Sequence, residues 1–326
     1  MTLKQIFLFL TLTSLSGPLY ACSVCGCGDP LNASATTQPL ERSWRLDIQN
    51  IHLTASAESD DLTGSTETVR QVNLNTTLTY NPTDDLALAV LFPLVEKYWY
   101  YTASPEALAL GIGNDEGTPF GIGDMMLGFR YFFWSETDFK TKQHQALAVS
   151  AGVYLPTGGT NFTSLITGNN LDTHAQLGTG AFAFYLGLLY NHVWDDFSLN
   201  MSGTAVHRTT AYTNDPNSPV YNYSFGSSFT GGITGQLKIA DPLAVSLAVE
   251  GRYAYADTEL NPLVEPGIVD TPGTGGTVLD LTPGVSWNVT GTSSLYAKVQ
   301  IPVYTSLIGT QEVDPTYTVG TSFLIQ

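Results

Sequence analysis

The chain has 326 residues, 43% of them hydrophobic and only 13% charged, with 29 Asp and Glu against 12 Lys and Arg and a formal net charge of −17. Such an acid excess repels phosphate backbones, which excludes nucleic acid as a partner. Beyond the first twenty residues no run approaches the roughly 18 apolar positions that a membrane helix needs, so any membrane crossing is made by strands.

The N-terminal segment reads as an export signal. Lys4 is followed by an apolar core from Ile6 to Leu15, and Ser16-Gly-Pro-Leu-Tyr-Ala21 ends it with a small residue at the cut. Residues 1–21 are therefore expected to be a signal peptide, 22–42 a flexible periplasmic arm, and 43–326 one folded β-barrel.

All three cysteines fall in the arm, in Cys22-Ser-Val-Cys25-Gly-Cys27-Gly-Asp29-Pro30. Four readings stand side by side. Cys22 is a lipidation candidate after Leu19-Tyr20-Ala21, although Tyr20 is bulky for that signal. In an oxidising compartment two of the thiols would join as a disulfide. Thiolates two and three positions apart also suit a soft ion such as Cu(I) or Zn(II). Finally, the arm resembles the CxxC near the mature N-terminus of barrels that sheath periplasmic multihaem cytochromes, which implies a periplasmic redox or metal protein as partner. No CxxCH occurs, so the chain itself carries no covalent haem.

Past the arm, period-two alternation predicts about twelve strands, near 43–55, 71–80, 85–98, 124–133, 144–155, 177–194, 196–208, 221–237, 243–255, 277–289, 293–303 and 315–326. In the first, Trp44, Leu46 and Ile48 share a face but Ile51 and Leu53 take the other, which predicts a bulge close to Asn50. Four strands alternate cleanly. Val72, Leu74, Leu78 and Tyr80 oppose Gln71, Asn73, Asn75, Thr77 and Thr79, and Met125, Leu127, Phe129, Tyr131 and Phe133 oppose Asp124, Gly128 and Arg130. Tyr221, Tyr223, Phe225, Phe229, Ile233 and Leu237 form one outward set, while in 243–255 all charge lies on the face of Ser246, Glu250 and Arg252.

A soluble sandwich also alternates, but its outer face would carry more than twelve basic residues over this length. Aromatics gather at strand ends, in Lys97-Tyr-Trp-Tyr-Tyr101, Tyr131-Phe-Phe-Trp134, His192-Val-Trp194 and Trp287, as in an interfacial girdle. Short connections at 81–85, 194–197, 239–242 and 288–293 alternate with long polar ones near 56–66, 99–118, 156–175, 209–220, 257–276 and 304–314. That asymmetry puts both termini in the periplasm. The closing residues Thr318, Gly320, Phe323 and Ile325 match the polar-x-Gly-x-x-hydrophobic-x-hydrophobic pattern that resembles the signal read by the barrel assembly machinery, with Gln326 where Phe is common.

Three segments carry a more specific likeness: Gly121-Ile-Gly-Asp124-Met-Met-Leu-Gly128-Phe-Arg130-Tyr131, Ala148-Val-Ser-Ala-Gly152-Val-Tyr-Leu-Pro156-Thr157-Gly158, and Gln176-Leu-Gly178-Thr179-Gly180 leading into Phe182-Ala-Phe184-Tyr. In order and spacing they resemble the central hairpins of the outer-membrane proteins grouped as the MetA-pathway phenol-degradation family, over roughly residues 119–192. The resemblance implies a porin-like transmembrane barrel in the outer membrane of a Gram-negative bacterium and passage of small molecules, apolar or aromatic ones among them. The same glycines also serve bends and close packing in any coiled strand.

Inward charges are Arg45, Asp47, Asp124, Arg130, Arg208, Glu250, Arg252, Asp280 and Lys298. They either brace the lumen as pairs or set its selectivity. None of His52, His144, His174, His192 and His207 sits in a recognisable motif with serine, and no nucleotide loop, zinc-hydrolase signature or EF-hand occurs, so no enzyme and no nucleotide cofactor are expected. The expected function is a passive channel for small solutes in outer-membrane lipid. The competing reading is a non-conducting scaffold whose CxxCxC arm holds the metal ion or redox partner.

Overall fold

A computed structural model describes residues 42–58, 65–211, 218, 220–260, 268–271, 274–308 and 311–325. Twelve long strands form the wall: β1 Ser43–Glu58, β2 Thr66–Asn81, β3 Leu86–Thr102, β4 Met125–Asp138, β5 Gln143–Leu155, β6 Ala183–Val193, β7 Phe197–Arg208, β8 Ser228–Ala240, β9 Leu243–Ala254, β10 Gly276–Thr290, β11 Ser293–Leu307 and β12 Thr316–Ile325. Each pairs antiparallel with its chain neighbours, and β12 closes on β1 from Trp44↔Ile325 to His52↔Tyr317. Closure leaves no unpaired edge, the condition for strands to cross lipid. No helix among the described residues is long and apolar enough to cross a membrane.

Side chains sort by parity, as consecutive residues of β6 show: Leu188 is 63% exposed on the outside and Leu189 only 4% on the inside. The outward apolar belt is the face that meets lipid. Inside, next to β3–β7, the barrel is filled rather than hollow. Met126 and Tyr185 pack with Ala89, Leu91, Ala183 and Val206, and Phe132 and Leu189 pack with Ala146 and Ala148. Alanine stands at wall positions where those larger groups need room, and burying each large one contributes about 1.5–3 kcal/mol.

Five short turns, at 82–85, 139–142, 194–196, 241–242 and 291–292, lie at the end where β1 begins and β12 finishes; six longer connections lie at the other. The turn at 139–142 had no counterpart in the sequence reading. Two strand assignments are corrected. The predicted bulge near Asn50 is absent, since β1 pairs with β2 without a register shift from Ser43↔Asn81 to Glu58↔Thr66. Ile51 and Leu53 therefore face the lumen, where apolar residues are themselves part of the wall. The outward set at 221–237 holds only from Phe229 on. Tyr223 and Phe225 are buried with Val220 beneath the outer connections, and Tyr223–Ser224 pairs with Thr258–Glu259 instead of joining the wall.

β6 also starts at Ala183 and not near 177, because residues 177–182 belong to the loop that precedes it. Trp99, placed in the girdle from sequence, is buried on the inner side against Val69, Leu171 and Ala175.

Candidate functional site: the lumen and its inward-folded loop

The connection between β5 and β6, residues 156–182, turns into the barrel. Thr173, His174, Gln176, Leu177, Gly178 and Thr179 line the same cavity as wall residues such as Gln49, Asn73 and Thr318. One carboxylate fixes its base. Asp124, just before β4, accepts from the Gly158 N–H through Oδ1 at 3.0 Å, and through Oδ2 from the Thr179 N–H at 2.8 Å and the Thr179 hydroxyl at 2.7 Å. Thr157 Oγ1 donates to the Gly123 carbonyl at 2.8 Å and accepts from the Met125 N–H at 2.9 Å. Where the two limbs of the loop meet, a Cβ on Gly158 would lie 2.5 Å from the Gly178 Cα, so only glycine permits the approach. The three sequence segments that carry the family likeness thus converge on one knot.

Further along, Lys97 on β3 reaches up from the wall and its Nζ donates to the carbonyls of His174 and Gln176, at 2.7 and 2.6 Å. Gln176, fully buried, accepts from the Phe162 N–H and donates to the Leu171 and Phe162 carbonyls. A 3-10 turn at Thr173–Ala175, capped by the Asp172 side chain, presents the His174 ring to the other outer connections. Its Nε2 lies 2.8 Å from Asp257 Oδ2, and Tyr223 donates its hydroxyl to the same oxygen at 2.7 Å. Nothing in the local sequence marks Lys97, Asp172, Gln176, Tyr223 or Asp257 as site residues.

Below the loop the cavity measures about 430 Å³, a size that accepts a small organic molecule. Its two sides differ in chemistry. Toward β3 and β5 it offers an apolar surface of Leu91, Pro93, Val95 and Tyr154, joined by Leu177 of the loop; toward β8–β12 it offers Gln236, Ser246, Glu250, Arg252, Thr282, Lys298 and Gln300. Arg45 donates to Asp47 at 3.1 Å. Arg252 Nε donates to Asp280 Oδ2 at 3.0 Å, Gln300 donates to that oxygen at 2.8 Å, and the Asp280 side chain is fully buried. Glu250 accepts from the Thr282 hydroxyl. Arg208 donates to the Gly226 carbonyl and so braces the outer connection above β7, while Arg130 is buried on the inner side of β4.

On β12, Thr318 and Ser322 point inward while Phe323 and Ile325 point to lipid, and the inner Gly320 carries the ring of Tyr296, whose Cζ lies 2.3 Å from where a Cβ would be. An aromatic from β11 laid over a glycine of β12 covers the backbone that the missing side chain leaves bare. Cys22, Cys25 and Cys27 lie outside the described residues, as does the whole arm before Arg42. Among the described residues no group of three His, Cys, Asp or Glu side chains is placed to hold a metal ion.

Among solved structures, the COG4313 outer membrane channel from Pseudomonas putida F1 matches with a TM-score of 0.62 and 14% identity, over 91% of this chain and 100% of that one. The transport unit of the autotransporter AIDA-I from Escherichia coli matches at 0.48 and 11%, over 90% and 95%. The P. putida toluene transporter TodX matches at 0.41 and 8%, over 90% and 94%. At this identity the first shows a shared barrel fold. No curated protein matches the chain. A family profile, however, matches residues 61–307, well over half of the sequence, and the chain belongs to the family described as the putative MetA-pathway of phenol degradation.

Proposed function

We propose that the protein is a passive channel, not an enzyme, through which small molecules with an apolar body of roughly single-ring size cross the outer membrane of a Gram-negative bacterium, with both termini in the periplasm. The observation that carries this is the two-sided cavity beneath the inward loop. A flat apolar body can lie against Leu91, Val95, Tyr154 and Leu177 while a hydroxyl or carboxylate meets the polar groups of β8–β12. Orientation by shape and a few polar groups is how small-molecule sites select. The orientation rests on the short turns lying at the end shared by β1 and β12.

The test is single-channel recording of the purified mature protein in planar bilayers. Steady ohmic steps are expected, interrupted by brief blockades when a monocyclic aromatic alcohol is added but not when a sugar of similar size is added. Leu177→Asp, which puts a charge on the apolar side, should remove the blockades and keep the steps. A folded barrel that never conducts, or blockades indifferent to L177D, would defeat the proposal.

A further inference from the structure

The His174 ring is held at both nitrogens. Nδ1 faces Asp172 Oδ1 at 3.0 Å and Nε2 faces Asp257 Oδ2 at 2.8 Å. An ionised carboxylate only accepts hydrogen bonds, so a ring that bridges two of them must carry a hydrogen on each nitrogen and be an imidazolium. Asp172 belongs to the inward loop itself, whereas Asp257 belongs to the connection between β9 and β10, where its side chain is fully buried. The tie therefore joins two outer connections across the mouth of the barrel.

We propose that His174 is a proton-operated latch: protonated, it ties the inward loop to the β9–β10 connection and keeps the mouth narrow, and loss of that proton releases the loop and widens the mouth. The gating consequence rests on the channel reading above; the latch itself does not.

Every charged or titratable group around the ring bears on this. Asp172 comes from its own loop, Asp257 from the β9–β10 connection, and Tyr223 from the β7–β8 connection, its hydroxyl 3.3 Å from Nε2 as well as bonded to Asp257. Lys97, from β3, donates to the His174 carbonyl. Arg208, from β7, donates to the carbonyl of Gly226, whose N–H is given to Asp257. Phe225 and Tyr223 meet the ring edge-on, with centroids 5.7 and 5.9 Å away.

Burial opposes the charged ring, but the Tyr223 hydroxyl and the two carboxylates outweigh it and hold the imidazolium well above the ordinary histidine range. With a raised value the latch is at full strength below the ordinary histidine pKa, and it is lost as pH rises through the raised one. One ring nitrogen then becomes an acceptor facing a carboxylate, which turns an attraction into a repulsion. His174 is the one histidine among the described residues that lines the lumen cavity.

The experiment is amide hydrogen exchange of residues 170–178 in the refolded full-length barrel, read alongside single-channel conductance, as pH is stepped from mildly acidic to alkaline. After correction for intrinsic exchange, the wild-type segment should be protected at neutral pH and lose protection on the alkaline side, with noisier and larger conductance. His174→Gln should be unprotected and noisy at every pH. Should H174Q not insert, Asp257→Asn takes its place and should move the wild-type transition toward acid; a merely structural role would shift no midpoint. Protection independent of pH in the wild type, or a D257N midpoint that does not move, overturns the latch. Loss of protection with steady conductance overturns its gating role. A barrel silent at every pH overturns the channel reading and gating together, while exchange still judges the latch.

Discussion

Replacing Arg252 with Met isolates the value of the buried pair in the lumen. Asp280 Oδ2 accepts from Arg252 Nε and from Gln300 Nε2, while Asp280 Oδ1 accepts from no side chain. The carboxylate is fully buried and thus depends on two donors. Removing one partner of a buried pair costs about 3–5 kcal/mol, because it strands a charge. Here Gln300 remains and the Arg252 side chain is 19% exposed, so about 2–3 kcal/mol is expected for R252M. With a slope near 2 kcal/mol/M, that lowers the urea midpoint by about 1 M, measured by tryptophan fluorescence of the refolded barrel in micelles. Adding Asp280→Asn should bring the double variant back to within about 1 kcal/mol of wild type, since no charge is left unpaired. The exposed pair Lys142–Asp195, at 69% and 65% side-chain exposure, is the comparator, and K142M should change stability by under about 0.5 kcal/mol. An R252M midpoint equal to that of wild type, or a double variant no better than the single, would refute the reasoning.

Asp124→Leu removes three hydrogen bonds to one carboxylate, each worth about 1.5–3 kcal/mol. It should free the inward loop for proteolysis within 156–182 while the barrel stays folded; a loop that resists cleavage as wild type does would contradict the knot. Gly320→Val drives a side chain into the Tyr296 ring, which should cost about 1–3 kcal/mol. It should also lower the temperature at which the folded band is lost on gels, and Tyr296→Ala in the same chain should recover part of that. Cys25→Ser with Cys27→Ser should leave the heat-modifiable band intact, because the arm precedes β1 in the chain. Loss of that band would mean the arm takes part in assembly.

The wall was legible in the sequence because lipid imposes period two on its strands: β9 keeps Glu250 and Arg252 on one face, and β2 and β4 alternate cleanly over 71–80 and 125–131. It was misread where the lumen is itself apolar. Ile51 and Leu53 face inward in perfect register, and a reader who expects a polar interior must invent a bulge to explain them. Tyr223 and Phe225 keep the right parity for a lipid face yet belong to the folded mouth, where aromatic burial follows no strand period. Asp124 was recognisable as an inner acid from its place before β4. Its partners Gly158 and Thr179 lie 34 and 55 residues away, and no local spacing announces them. The glycines of Pro156-Thr-Gly158 and Gly178-Thr-Gly180 looked like generic strand relief and proved to be the surfaces on which the loop closes.

The His174–Asp257 contact spans 83 residues, and that distance along the chain sets when the mouth can form. Contacts so far apart are closed late in folding, after the elements between them are in place. Four further strands, β6 through β9, separate the two groups and must be paired before the histidine meets its second carboxylate; until then it holds Asp172 alone. A barrel assembled less far therefore holds its loop at the base by Asp124 and Lys97 but not at the mouth, and an ordered mouth reports that the wall has been built at least through β9.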